Sequence, residues 1–157
     1  MKGFNKFGID IKKEQPEKAA IYSLACAYFA IEHKIADYLR PYNLSPVKFN
    51  TLMIIKHQGK DKGLSQAEIG RHLIVSASNM THLLDRMSKE GLIERLPQKG
   101  DRRVNLVKIT KKGSDLLDKA WPGYCAKLLE IGRWLNNNEL KQLAGLLYKW
   151  FDKLESR

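Results

Sequence analysis

The sequence predicts a mainly α-helical fold that carries one small β-hairpin. Three observations point there. Apolar residues recur at helical spacing through most of the 157 residues. Between residues 92 and 109 the period drops from about 3.6 to about 2. Ser, Pro and Gly stand where helices would start and stop. The length is one domain's worth, enough to bury roughly two-thirds of the unfolded surface without disulfide or metal staples. With 43% hydrophobic and 29% charged residues, the composition is that of a folded chain.

Residues 1–15 read as a flexible arm, because they lack the apolar core of a signal peptide. Pro16 suits a first helical turn, where its missing N–H has no partner to lose. Ile21, Leu24, Ala25, Tyr28, Ile31, Ile35 and Leu39 then form one stripe over about five turns, and Pro41 stops it. This helix is longer than a small core needs, so part of its stripe is available to another subunit. Ser45-Pro46 restarts the chain, with Phe49, Leu52, Met53 and Lys56 on one side and Gly59 at the end. Ser65 with Glu68 fits a capping box, and Leu64 with Ile69 a hydrophobic staple, opening a short helix through Leu73.

Ser76 begins a longer helix whose buried face is Met80, Leu83, Leu84 and Met87, and Gly91 is placed to end it in the left-handed conformation. Residues 92–96 read as a strand, 97–103 as a polar turn and 104–109 as a second strand. Thr110 caps a long helix in which Pro122-Gly123 should introduce a kink or an interruption. Asn136 with Glu139 resembles another capping pair. The last helix places Leu140, Leu143, Leu147, Trp150 and Leu154 close to a heptad seam.

Charge narrows the function. Twenty-eight Lys+Arg against 17 Asp+Glu give a net charge of +11. Residues 86–112 alone hold nine basic and three acidic residues, a local +6. A diffuse excess serves solubility; a clustered one attracts polyanions.

A helix–turn–helix followed by a two-stranded hairpin is the winged-helix arrangement. Its second helix fits the major groove of a DNA duplex and presents its N-terminal residues to base edges. On that helix Ser76, Ser78, Asn79, Thr81, His82, Arg86 and Lys89 are the candidate DNA-binding side chains. Asn and Arg can form paired hydrogen bonds with adenine and guanine. Arg102 and Arg103, at the hairpin turn, are candidates for a minor groove, where the potential is most negative.

The run Met80 to Arg95 (MTHLLDRMSKEGLIER) resembles the recognition helix and first wing strand of the MarR/SlyA family of transcriptional regulators. Gly100-Asp101-Arg102-Arg103, leading to Ile109-Thr110, resembles the family's wing signature, Asp-x-Arg before a strand that ends in Leu-Thr. The resemblance spans about residues 17–155 in order and helix count.

It implies a homodimer on a pseudo-palindromic operator, probing double-stranded DNA with two winged-helix lobes. Residues 43–110 would form each lobe, and residues 16–42 and 111–157 the interlocking dimerisation helices. Asp101 would brace the wing against an arginine while Arg103 reaches the minor groove. Where the family commonly has arginine, this chain has His82. Many family members are repressors that release DNA on binding a small aromatic or phenolic acid. Tyr28, Phe49, Met53, Trp121 and Tyr124 are the aromatic or soft residues available to line such a site, or to serve as ordinary core.

Other classes find less support. Cys26 and Cys125 form no CxxC pair and read as buried small apolar residues rather than as a redox sensor. His33, His57, His72 and His82 show no metal-ligand spacing, so neither metal nor cofactor is expected. The chain has no GxSxG, P-loop or GxGxxG, which argues against an enzyme. No apolar run is long enough for a membrane span, and a cytoplasmic location is expected. A basic architectural protein without sequence preference, or a cysteine-based redox regulator, are the competing readings.

Overall fold

The computed structural model describes residues 8, 10, 12–60, 62–73, 77–98 and 101–156, with the backbone alone at 77, 78, 98 and 101–105. Most of the arm expected over 1–15 lies outside the described residues.

Helix α1 spans Pro16–Leu39, with the proline at its start and Glu17 in the first turn. Pro41 ends it in a 3-10 turn, Arg40–Tyr42, and Asn43 leaves in the left-handed region at φ 55°. The Tyr38 hydroxyl donates to the Ala120 carbonyl at 2.7 Å, anchoring this end of α1. Helix α2 spans Pro46–Ile54, capped by Ser45, and widens into a π-helical turn over Ile55–Gly59. Leu44, Phe49, Leu52 and Ile55 are buried; of the side expected from spacing, Phe49 and Leu52 are buried whereas Met53 and Lys56 are half-buried.

A two-residue strand, β1 (Leu64–Ser65), precedes α3 (Gln66–His72) and α4 (Ala77–Lys89). The hairpin is β2 (Ile93–Gln98) and β3 (Asp101–Ile109). All pairing is antiparallel in the order β1-β3-β2. Leu64 lies opposite Val107 and Ser65 opposite Leu106, a third strand that the sequence does not predict. The hairpin arms are also longer than expected. Ile93 to Pro97 run opposite Ile109 to Asn105, and then the register shifts so that Gln98 faces Asp101. Arg102 and Arg103 therefore stand in strand β3 rather than in a turn. Cross-strand hydrogen bonds carry the ladder past the polar residues that mark a turn in one dimension.

Both capping boxes form. Ser65 accepts from the Glu68 N–H while Glu68 accepts from the Ser65 N–H, and Asn136 and Glu139 exchange the same bonds. Helix α4 ends on Gly91, at φ 71°. There the Leu92 N–H reaches the Met87 carbonyl and the Gly91 N–H the Ser88 carbonyl, the paired bonds of a Schellman turn. Met80, Leu84, Met87 and Leu92 are buried and tie α4 to the lobe.

Helix α5 spans Lys111–Gly132 and α6 spans Asn137–Glu155. Thr110 caps α5 as expected, its hydroxyl oxygen accepting from the Gly113 N–H at 3.0 Å. The helix is not interrupted at Pro122. Buried Leu117 and Ala120 hold the preceding turn, and packing outweighs the cost of one missing backbone bond. The chain divides instead into two compact units at this point, Met1–Pro122 and Gly123–Arg157.

Exposed apolar side chains are unevenly placed. Among the described residues, the large ones lie on α1 (such as Leu24, Tyr28 and Ile31), or between Trp121 and Leu154. Among the described residues between 32 and 120 there is none. Cys26 and Cys125 are free and half-buried rather than buried, because each sits on a helix whose apolar surface one chain does not fully cover.

Candidate nucleic-acid interface

The candidate interface is built on α3 and α4. Burying Met80, Leu84 and Met87 turns the opposite side of α4 outward. Asn79, His82, Arg86 and Lys89 are exposed there, spaced three, four and three residues apart. That spacing makes them a single stripe along about three turns, with an amide first and cations further on. Thr81 is exposed to one side of it and accepts a hydrogen bond from Gln66 Nε2 on α3 at 2.8 Å. This bond joins the two helices of the helix–turn–helix, and Gln66 was not among the expected residues. Ser76 lies outside the described residues. Ser78 is placed on α4, and Asp101, Arg102 and Arg103 on β3, by their backbones alone.

The start of α3 depends on a carboxylate. The Ser65 N–H and hydroxyl both donate to Glu68, at 2.7 and 2.8 Å. These bonds, the backbone one first, hold the Glu68 carboxyl below its ordinary pKa, helped by Arg71 and His72. A lowered folded pKa means the stabilisation is present above the unfolded value and is lost as pH falls through the folded one. Replacing Ser65 with Ala should cost about 1 kcal/mol at neutral pH. In urea unfolding, the gap between wild type and this variant should narrow as pH drops below the carboxylate range.

Ion pairs brace the stripe-bearing helix. Arg95 Nη2 on β2 lies 2.7 Å from Asp85 Oδ1 on α4, tying helix to wing. Lys48 Nζ on α2 lies 2.7 Å from both carboxylate oxygens of Glu90, the residue after α4. Neither pair was expected from the sequence. Lys48 gave a partial signal, since it falls at helical spacing among Leu44, Leu52 and Ile55, where a cation is out of place. Its partner, 42 residues away, gave none.

The expected ligand residues differ in exposure. Phe49 is buried and stacks on Trp121, with ring centroids 6.3 Å apart and planes at 11°. Trp121 is 41% exposed, and Met53, one turn beyond Phe49, is half-buried. Tyr28 is 67% exposed on α1. Tyr124 belongs to the second unit, is half-buried, and has its phenol pKa raised by that burial. Among the described residues no group of three or more His, Cys, Asp or Glu is gathered to hold a metal ion. No described helix is long and apolar enough to cross a membrane.

Comparison with known proteins decides what this lobe is. The MarR family model matches residues 44–104, from two residues before α2 to the middle of β3. The multiple antibiotic resistance protein MarR of Salmonella typhimurium is 32% identical over 115 residues, 72% of this chain and 77% of that protein. The chain belongs to the MarR family. A mutant MarR from E. coli, solved in complex with operator DNA, superposes with a TM-score of 0.76 at 25% identity, covering 82% of this chain and 90% of that one. An organohalide sensing transcriptional regulator in its 2,4-dichlorophenol bound form shares the fold, with a TM-score of 0.82 at 18% identity over 92% of this chain and 85% of that one.

The protein is thus a MarR-family transcriptional regulator with a winged-helix fold, and its relatives are regulators rather than enzymes. In the order of elements α4 stands where the resemblance places the family's recognition helix, and the β2–β3 hairpin where it places the wing.

Proposed function

We propose that the protein acts in the cytoplasm as a homodimeric repressor. It binds a pseudo-palindromic operator sequence-specifically and releases it when a small aromatic or phenolic ligand binds. The observation that carries this reading is the segregation of surface chemistry. Among the described residues, the exposed large apolar side chains lie on α1 or between Trp121 and Leu154, and the outward face of α4 is polar and cationic. An apolar helix surface open in one chain calls for a protein partner. A cationic helix face with an amide at its start suits a duplex, with phosphates giving affinity and base edges giving sequence preference.

Within that reading, residues 43–110 are the DNA-binding lobe and residues 16–42 and 111–157 the dimerisation region. Arg86, Lys89 and Arg102 meet phosphates. Arg103 enters the minor groove, and Asp101 braces the wing. Ser76, Ser78 and Thr81 allow close approach at the helix start. His82 donates to or accepts from a base or a phosphate, as its imidazole can do either. For the effector, the half-exposed Trp121 ring stacked on Phe49, with Met53 one helical turn beyond Phe49, offers the flat apolar surface that an aromatic acid needs. The phenol-bound regulator of the same fold supports that choice of chemistry.

Asn79 provides the sharpest residue test. An Asn–adenine pair is worth about 1–3 kcal/mol of discrimination. Asn79→Ala should therefore flatten base preference at one position of each half-site, measured by sequencing DNA selected from a random library. A uniform loss across all sequences would assign Asn79 to the DNA backbone. Equal affinity of the wild type for every duplex would favour an architectural protein instead.

A further inference from the structure

Lys48 is the buried charged residue among those described, with 9% of its side chain exposed and both Glu90 oxygens at 2.7 Å. Removing an ammonium from water costs several kcal/mol, which the facing carboxylate offsets. An apolar pair of similar volume commonly holds a fold as well or better. Stability alone therefore gives no reason for an ion pair here. Direction does, because a charged pair tolerates little displacement whereas apolar side chains slide.

The pair sits where direction matters. Glu90 follows Lys89, the last residue of α4 and of its outward stripe. From the other side, Lys112 Nζ on α5 donates to the Glu90 carbonyl at 2.7 Å. The Thr110 hydroxyl donates to the Gly91 carbonyl at 2.7 Å. The end of α4 is held between α2 and the first turn of α5.

We propose that Lys48 and Glu90 are positioning residues for DNA recognition. Their ion pair sets where α4 points, and thereby how well the protein separates its operator from other duplexes, rather than how stable the lobe is. This rests on the reading of α4 as a sequence-specific recognition helix.

The test uses the full chain with Lys48→Met and Glu90→Met combined, which leaves net charge unchanged. Two quantities are measured: Tm, and the ratio of affinities for a selected operator and a scrambled duplex of equal length at one salt concentration. The expected result is a folded protein with wild-type Tm whose ratio falls about tenfold, the effect of one mismatched base pair. Lys48→Arg, which keeps a cation on Glu90, should retain the ratio. A folded methionine pair with the wild-type ratio overturns the proposal. So does an unfolded one, since the pair would then be serving the fold. A folded Lys48→Arg variant with as large a loss points to packing at residue 48 and also overturns it. Wild-type protein with no operator preference overturns the underlying reading instead.

Discussion

Replacing Gly113 with alanine should destabilise the protein by about 3 kcal/mol, the upper end of what overpacking costs, and lower Tm by roughly 6–12 °C. Gly113 lies in the first turn of α5, and a Cβ there would fall 2.1 Å from the Leu92 carbonyl oxygen and 3.0 Å from Ile109 Cγ1. The obstacle is backbone, which a rotamer change cannot clear. Nor can the backbone move cheaply. The same carbonyl accepts from the Thr110 N–H, and Ile93, the next residue, begins the ladder opposite Ile109. Gly70 on α3 is the internal control, with nothing within 4 Å of an added Cβ. Gly70→Ala should stabilise by up to about 1 kcal/mol through helix propensity. Opposite signs for one chemical change, read by thermal unfolding, would establish that close approach and not glycine content governs this lobe. Equal signs would remove the packing argument.

The second large effect is on assembly. Leu143 and Leu154 on α6 are 44% and 65% exposed, and both lie on the near-heptad seam. Replacing both with Glu should leave the secondary structure of a lone chain almost unchanged. Little buried area is lost, and Glu equals Leu as a helix former. In a dimer packed through this seam the same change buries uncompensated charge and separates the chains. Operator affinity should then fall about a hundredfold or more, because a second lobe no longer binds intramolecularly. Sedimentation should show single chains with intact circular dichroism. A dimer that survives both glutamates would move the interface elsewhere.

Local chemistry was legible in the sequence. Ser65 with Glu68 and Asn136 with Glu139 announce capping boxes because both partners lie within one turn. Gly91 announces a helix end because only a residue without a side chain enters the left-handed region freely. The long apolar stripe of α1 suggested a surface for another subunit, and Leu24, Tyr28 and Ile31 are exposed in the single chain. What escaped depends on residues far apart. Strand β1 is too short to show a period, and it exists through its pairing with Val107 and Leu106. The hairpin's true length was hidden by polar residues that pair across strands. Pro122 suggested a kink or an interruption, and the helix runs through it uninterrupted. Of the candidate site, the outward stripe of α4 followed from helical spacing alone. Its braces, Lys48 to Glu90 and Arg95 to Asp85, each join two elements and left no paired signal.

The most direct measurement is selection of DNA from a random duplex library by the full-length protein, at low and moderate salt, with the bound sequences determined. Two inverted half-sites centred about one helical turn apart should emerge, because two copies of α4 related by a twofold axis read one face of the duplex. Recovery of every sequence in proportion to its input, or of a lone half-site by a single chain, would contradict the account.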